Sequence, residues 1–230
     1  MKRYKHYSFD LWLTLIKSNP EFKRQRALYF HKKYNTSNKS LSEVEAVFKK
    51  IDNLCNVVNE KTGKNIDADE MYLMVIGHLN DFDAGFDDID LIELYVEIEK
   101  IIFNYLPEVY CSKTIDTLQA IKQTTNASFN ILSNTAFIKG STLRIVLDTI
   151  GLSNFFDFQI YSDEVGFSKP NPAIFNLMIE TISKNGVAMP LEDIVHVGDN
   201  SKADIAAAQK MGIGSFCINS NANRITNLLD

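Results

Sequence analysis

Residues that would tie this chain to several functional classes are scarce. There are three cysteines in 230 residues, Cys55, Cys111 and Cys217. They lie far apart and in no CxxC pattern. That argues against a disulfide framework or a zinc site and fits buried or free thiols in a reducing compartment. Lys and Arg number 24 against 29 Asp and Glu, and they form no basic block. A net charge of -5 argues against a nucleic-acid partner, whose binding needs clustered cations. No uninterrupted apolar stretch is long enough to span a membrane. The apolar run near the N-terminus is broken by Asp10 and has no small-residue cleavage site after it, so no signal peptide is expected. Internal repeats and low-complexity tracts are missing as well. The expected location is cytoplasmic, and the sequence says nothing about oligomeric state.

What is present is an ordinary globular composition, 45% hydrophobic and 23% charged. The length suits one domain plus an insertion, or two small domains. The apolar run from Tyr7 to Leu15 carries three aromatic residues and β-branched Thr14 and is followed by the breaker Lys17-Ser18-Asn19-Pro20, which favours a strand. From Glu21 to about Leu106 apolar residues recur at helical spacing. Four helices are expected there, the second capped by Ser40 or Ser42, with polar joints between them and no convincing strand. After Pro107 helices and strands alternate. Strands are expected at Ser128–Leu132, Phe155–Tyr161, Ile194–Val197 and Gly214–Asn219. Helices are expected from Thr114, Phe137, Pro172 (to about Lys184) and Ala203. This order predicts an α/β fold with a doubly wound, mostly parallel Rossmann-like sheet and an inserted all-helical cap. The α/β core would comprise 1–14 and 107–230, and the cap 15–106. The insertion begins within a few residues of Asp10 and is therefore expected to close over it.

Four polar sites follow expected strand ends: Asp10, Ser133-Asn134, Lys169, and Asp199 with Asp204. Each has an ordinary reading. Ser133 suits a helix cap, Lys169 a solvated surface, Asp199 a turn, and Asp204 the first turn of a helix. His196 reads as a core residue. Together, however, they fall where a doubly wound sheet gathers its ligands. Asp10 and Asp199 offer hard oxygen ligands suited to Mg²⁺, which would screen the charge of a phosphate. Asp10 can serve as a nucleophile. Lys169 would balance the negative charge, and Ser133 with the N–H groups after it would bind phosphate oxygens.

With these residues in view, the chain resembles the haloacid dehalogenase-like hydrolases of the type with a helical cap inserted after the first motif. The matching stretches are Asp10-Leu11-Trp12-Leu13-Thr14, Leu132-Ser133-Asn134, Ser168-Lys169-Pro170 and Gly198-Asp199-Asn200-Ser201-Lys202-Ala203-Asp204, in the family's order. The resemblance implies that Asp10, Ser133 and Lys169 are catalytic, with Asp10 the nucleophile. It implies that Asp10, the Trp12 carbonyl and Asp199 hold Mg²⁺, with Asp204 in support. It further implies that Trp12, Thr14, Ser133, Asn134 and Lys169 contact a small phosphorylated substrate.

The match breaks at Trp12. The family's phosphatases usually carry a second Asp there, which protonates the leaving oxygen and then activates water. An indole has no useful pKa, and losing a positioned acid/base removes ~10²–10⁴ of rate. Three readings follow. The protein is a Mg²⁺-dependent phosphohydrolase whose leaving group needs little protonation, or which borrows an acid from the cap or substrate. Or it is a 2-haloacid dehalogenase, where an aromatic also stands at this place and halide leaves without a proton; Arg24 or Arg26 could then receive the substrate carboxylate, although both read more simply as a solvated face. Or it is a non-catalytic or weakly active module that binds a phosphorylated ligand. Asp199 with Asp204 looks like a retained metal site, which a dehalogenase does not need, so the phosphohydrolase leads. Specificity is expected in the cap, at the Asp81–Asp90 joint or near Phe48 and Asp52.

Overall fold

Strand β1 (His6–Phe9) is fully buried and alternates in character along its length. Successive side chains of a strand point to opposite faces, so Tyr7, Phe9 and Leu11 share one side and His6, Ser8 and Asp10 the other. The computed structural model describes residues 4–83, 85–183 and 188–230. Beyond Phe9 the expected strand stops. Leu13 takes a left-handed conformation (φ 58°) and donates to the Ile16 carbonyl, while Leu15 and Ile16 donate to the Leu11 carbonyl. The apolar run to Leu15 is thus half strand and half tight turn.

Next come β2 (Ile16–Lys17), α1 (Pro20–Lys33), α2 (Leu41–Thr62), α3 (Ala68–Leu79), α4 (Leu91–Asn104) and β3 (Glu108–Val109). The four expected helices are present. α2 opens on a capping box of Ser40 and Glu43 and closes at Gly63, whose φ of 69° suits a residue without Cβ. α1 packs against α2 and α4, and α2 against α3. β2 and β3 pair antiparallel and pinch the two ends of this helical segment together. Two-residue strands carry no readable period, which is why sequence patterning misses this ribbon.

The remaining elements are α5 (Thr114–Thr125), β4 (Ser128–Ser133), α6 (Gly140–Thr149), β5 (Phe158–Tyr161), α7 (Ser162–Val165), α8 (Pro172–Ser183), β6 (Ile194–Gly198), a π-helical turn (Ser201–Ala206), α9 (Ala207–Lys210) and β7 (Gly214–Cys217). The expected end of α8 at Lys184 lies outside the described residues. α6 begins at Gly140, with Lys139 at its N-cap, so Ser133 caps no helix. A loop, not a helix N-terminus, follows Ser133.

The five long strands form one sheet in the order β5-β4-β1-β6-β7, and every pairing is parallel. One face packs Phe9, Phe129, Ile131, Val195 and Val197 into a core shared with α1–α4. The other packs Leu132, Ile160 and Ile194 against Ile174, Phe175 and Met178 of α8. From β1 the chain moves to β4 and β5 on one side, then crosses to β6 and β7 on the other. Asp10 therefore sits at the carboxyl end of the central strand, at the switch point where open α/β sheets bind ligands. Among the described residues, no helix is long and apolar enough to cross a membrane.

Candidate active site

The side of β1 that carries His6, Ser8 and Asp10 continues into a buried polar strip. Ser8 meets Nδ1 of His196 on β6 at 3.0 Å, and Nε2 of His196 meets Oδ1 of Asp204 at 3.1 Å. A carboxylate only accepts, so Nε2 carries the proton and Nδ1 accepts from the Ser8 hydroxyl. Burial pushes the His196 pKa down, keeping the ring neutral. His196 thus fixes Asp204 from behind, a role that an apolar-strand pattern gives no hint of.

Asp204, at 1% exposure, accepts from three donors. Besides His196 it accepts from the Asn200 N–H at 3.0 Å and from Lys169 Nζ at 2.6 Å. Lys169 and the other donors hold its pKa well below the usual carboxylate range, against the cost of burial. The approach is close: a Cβ on Gly198 would overlap the Asp204 carboxylate. Asn200 caps the π-helical turn through Lys202 N–H and Ala203 N–H, and its side-chain amide reaches Glu60 of α2.

Lys169 is 1% exposed, not the solvated lysine its sequence context suggests. Its Nζ spans Asp204 and Oδ1 of Asp10, the latter at 2.8 Å. Oδ2 of Asp10 accepts from Thr14 Oγ1 at 2.9 Å. Burial raises the Asp10 pKa, and Lys169 and Thr14 oppose that shift. The Lys169 backbone is pinned on two sides. Asn134 exchanges two hydrogen bonds with it, accepting from Lys169 N–H at 2.7 Å and donating to its carbonyl at 2.9 Å. The loop after α2 meets the same segment, with Ser168 N–H donating to the Gly63 carbonyl and Asn65 N–H to that of Gly166.

Asp199, half-buried after β6, makes no ion pair among the described residues. Burial and the neighbouring Asp10 and Asp204 push its pKa up to about 7. One carboxylate oxygen from each of Asp10, Asp199 and Asp204 lies within 4.8 Å of the others. With all three ionised, three carboxylates against one ammonium leave two negative charges, so this all-oxygen set fits a hard divalent cation. Asp204 already accepts from three donors, two of them on Oδ1. Asp10 and Asp199 are the arms free to hold an ion, with the Trp12 carbonyl, which takes no part in the turn's hydrogen bonds, a third.

A cavity of about 790 Å³ opens over these groups, lined by Asp10, Trp12, Asn134, Lys169, Asp199 and Asp204 and roofed by α1 and α2. Trp12 is half-buried on its wall. Thr14 and Ser133 do not line it; Ser133 is fully buried and donates to the Asn134 carbonyl. Phe48 and Asp52 do line it, whereas none of the described residues of the 81–90 joint does. Arg26 departs from its solvated-face reading. It is 7% exposed on the cavity wall, while Arg24 is exposed.

The parallel doubly wound sheet thus carries a lysine-bridged acid cluster at its switch point, where such sheets bind ligands. The family model for haloacid dehalogenase-like hydrolases matches residues 4–212, and the chain belongs to that family. It is 32% identical over 98 residues to an uncharacterized hydrolase of Schizosaccharomyces pombe, covering 42% of this chain and 41% of that one. It is 39% identical over 64 residues to a glyceraldehyde 3-phosphate phosphatase of Methanopyrus kandleri, covering 28% and 25%. The chain spans less than half the length of the curated relatives it matches. Among solved structures, the HAD-hydrolase YfnB of Bacillus subtilis, determined with magnesium bound, superposes with a TM-score of 0.70 at 21% identity, over 96% of this chain and 92% of that one.

Proposed function

We propose that this protein is a Mg²⁺-dependent phosphohydrolase of small phosphorylated metabolites, working through an aspartyl-phosphate on Asp10, with 15–106 as a helical cap over a core of 1–14 and 107–230. The observation that carries this reading is the Lys169 ammonium held between Asp10 and Asp204, with Asp199 left unpaired beside them. Mg²⁺ bound there would screen the charge of an incoming phosphate dianion. Lys169 would keep Asp10 ionised and hold it in place for attack. A bond forms between an Asp10 oxygen and phosphorus as the ester P–O bond breaks, its electron pair leaving with the leaving group. Water then cleaves the mixed anhydride at phosphorus and gives its proton to the released phosphate.

Trp12 restricts both halves of this sequence, since an indole neither protonates a leaving group nor activates water. With no carboxyl group two residues after Asp10, leaving groups that depart unprotonated, such as aryl or acyl groups, are favoured. Asn134 and Lys169 would contact the transferred phosphoryl group, while Thr14 and Ser133 act from beneath the surface. The screen that tests the reading offers phosphorylated metabolites and 2-haloacids, each with Mg²⁺ and with chelator. Phosphate release that needs Mg²⁺ supports it. Halide release regardless of metal would make the protein a dehalogenase, and release of neither would make it a binding module.

A further inference from the structure

The loop Gly63-Lys64-Asn65, between α2 and α3, does not line the cavity, yet it runs along the loop that carries Lys169. Ser168 N–H donates to the Gly63 carbonyl at 3.1 Å and Asn65 N–H to that of Gly166 at 3.3 Å. Between them Lys64 and Phe167 form an antiparallel bridge. Asn171 Nδ2 adds a bond to the Gly63 carbonyl at 2.9 Å, and a Cβ on Gly63 would strike the Asn171 side chain.

The Asn65 side chain extends this ladder. Its Nδ2 donates to Asp67 Oδ1 at 2.7 Å, and a carboxylate only accepts, so the amide oxygen is turned the other way. That oxygen accepts from Ser162 Oγ at 2.6 Å and, at a longer 3.4 Å, from Ser168 Oγ. Both serines are fully buried. Ser162 Oγ in turn accepts the Thr135 N–H at 2.8 Å and lies 3.1 Å from Thr135 Oγ1, which accepts from Asp163 N–H. The hydroxyl hydrogens therefore run one way, from Thr135 through Ser162 to Asn65.

One amide of the inserted helical segment thus holds two loops of the cavity wall. It reaches the Asn134-Thr135 loop through Ser162, and the Lys169 loop through Ser168 and the backbone ladder. Docking of the segment alone needs no such arrangement. Apolar contact would serve it, whereas buried hydroxyls cost free energy unless each has a partner. Asn134 already ties itself to the Lys169 backbone at the cavity wall. Asn65 ties the same two loops from outside the cavity, so their separation is set on two sides.

We propose that Asn65 is a positioning residue: it sets the distance between Lys169 and the loop after β4, acting through Ser162 and Ser168 and touching no substrate. This rests on the phosphohydrolase reading and adds to it a residue from outside the cavity. The helical segment then completes the site as well as roofing it. Such spacing matters because a displacement of about 1 Å, caused far from the chemistry, can cost about 10²-fold in rate.

Steady-state hydrolysis of an aryl phosphate with Mg²⁺ tests the proposal. Asn65→Ala should lower kcat by about 10- to 100-fold while KM moves by less than about threefold. Asn65→Asp keeps an acceptor for both hydroxyls and should recover most of the rate. Ser162→Ala breaks the path at its other end and should give the same loss, with no further loss when the two are combined. Asp69→Asn breaks the ion pair between α3 and Lys139 and should leave kcat as it is, which separates positioning from weaker docking. Unchanged kcat in either Asn65→Ala or Ser162→Ala overturns the proposal, and Ser162→Ala decides it if Asn65→Ala does not fold. An equal loss in Asp69→Asn overturns it too.

Failure of the phosphohydrolase reading looks different: the wild type releases phosphate from no ester. Orthovanadate binding, followed by titration calorimetry with Mg²⁺, then decides. Asn65→Ala should bind this five-coordinate phosphoryl mimic about tenfold or more weakly than the wild type, and equal affinity overturns the proposal. A wild type that neither hydrolyses esters nor binds orthovanadate ends both.

Discussion

The Nζ atom of Lys169 lies 2.8 Å from Oδ1 of Asp10 and 2.6 Å from Oδ1 of Asp204, one cation shared by two buried acids. The two acids are not equivalent, because Asp204 has two further donors, His196 and Asn200, and Asp10 only Thr14. Lys169→Met should therefore lower unfolding free energy by about 3 kcal/mol, as for other broken buried pairs. Asp10→Asn should cost less than about 1 kcal/mol, since it removes a desolvated charge, yet lower turnover by at least ~10³-fold. Urea denaturation and phosphate release measure the two effects. Equal destabilisation by both variants would remove the asymmetry.

Asp199 gives the metal a readout in stability. If Asp10 and Asp199 hold Mg²⁺ in the folded state only, an ion concentration about a hundred times Kd should raise unfolding free energy by about 2.7 kcal/mol. Thermal melts with Mg²⁺ and with chelator should separate in the wild type and converge in Asp199→Asn. Superimposable wild-type melts would dismiss the ion.

Trp12 makes a prediction about leaving groups. Aryl or acyl phosphates should turn over faster than alkyl phosphates by orders of magnitude. Trp12→Asp should narrow the gap by raising alkyl-ester turnover by ~10²–10⁴. A wild-type protein that handles both classes equally must take its proton from another residue.

His6, away from the cavity, predicts a pH dependence of the fold. It is fully buried, with Nε2 donating to Asn130 Oδ1 at 2.7 Å and Nδ1 accepting from Ser128 Oγ at 2.6 Å. Burial lowers its pKa from the ordinary 6.5. Below that value the unfolded chain takes up a proton that the folded chain refuses, so stability is full above 6.5 and falls as pH drops towards the folded pKa. Relative to His6→Gln, the wild type should lose up to about 1.4 kcal/mol per pH unit in that window. Parallel stability curves for the two proteins would contradict it.

Much of the fold and part of the site could be read from residue patterns. α2 runs from its capping Ser40 to the left-handed Gly63 as its periodicity implies, and β4 and β6 end beside Ser133 and Asp199. Those signals are local: a cap, a glycine, an apolar run broken by a polar residue. The β2–β3 ribbon is too short to have a period, and the turn from Leu11 to Ile16 hides inside an apolar run because its hydrogen bonds, not its composition, define it. The start of α6 at Gly140 was also out of reach, since the loop after Ser133 is as apolar as a helix face.

By itself the sequence determined the alternation of strands and helices, the helical insertion beside Asp10 and the placing of Asp10, Ser133-Asn134 and Asp199 at strand ends, because hydrophobic period and capping chemistry act over a few residues; Lys169, expected at a strand end too, lies instead in the loop after α7. Only the tertiary structure decided that Lys169 joins Asp10 to Asp204, that His196 stands behind them, and that Asn65 meets Ser162 and Ser168. Burial and charge pairing depend on residues far apart in the chain, and no local pattern reports which of them the fold will bring within a hydrogen bond of each other.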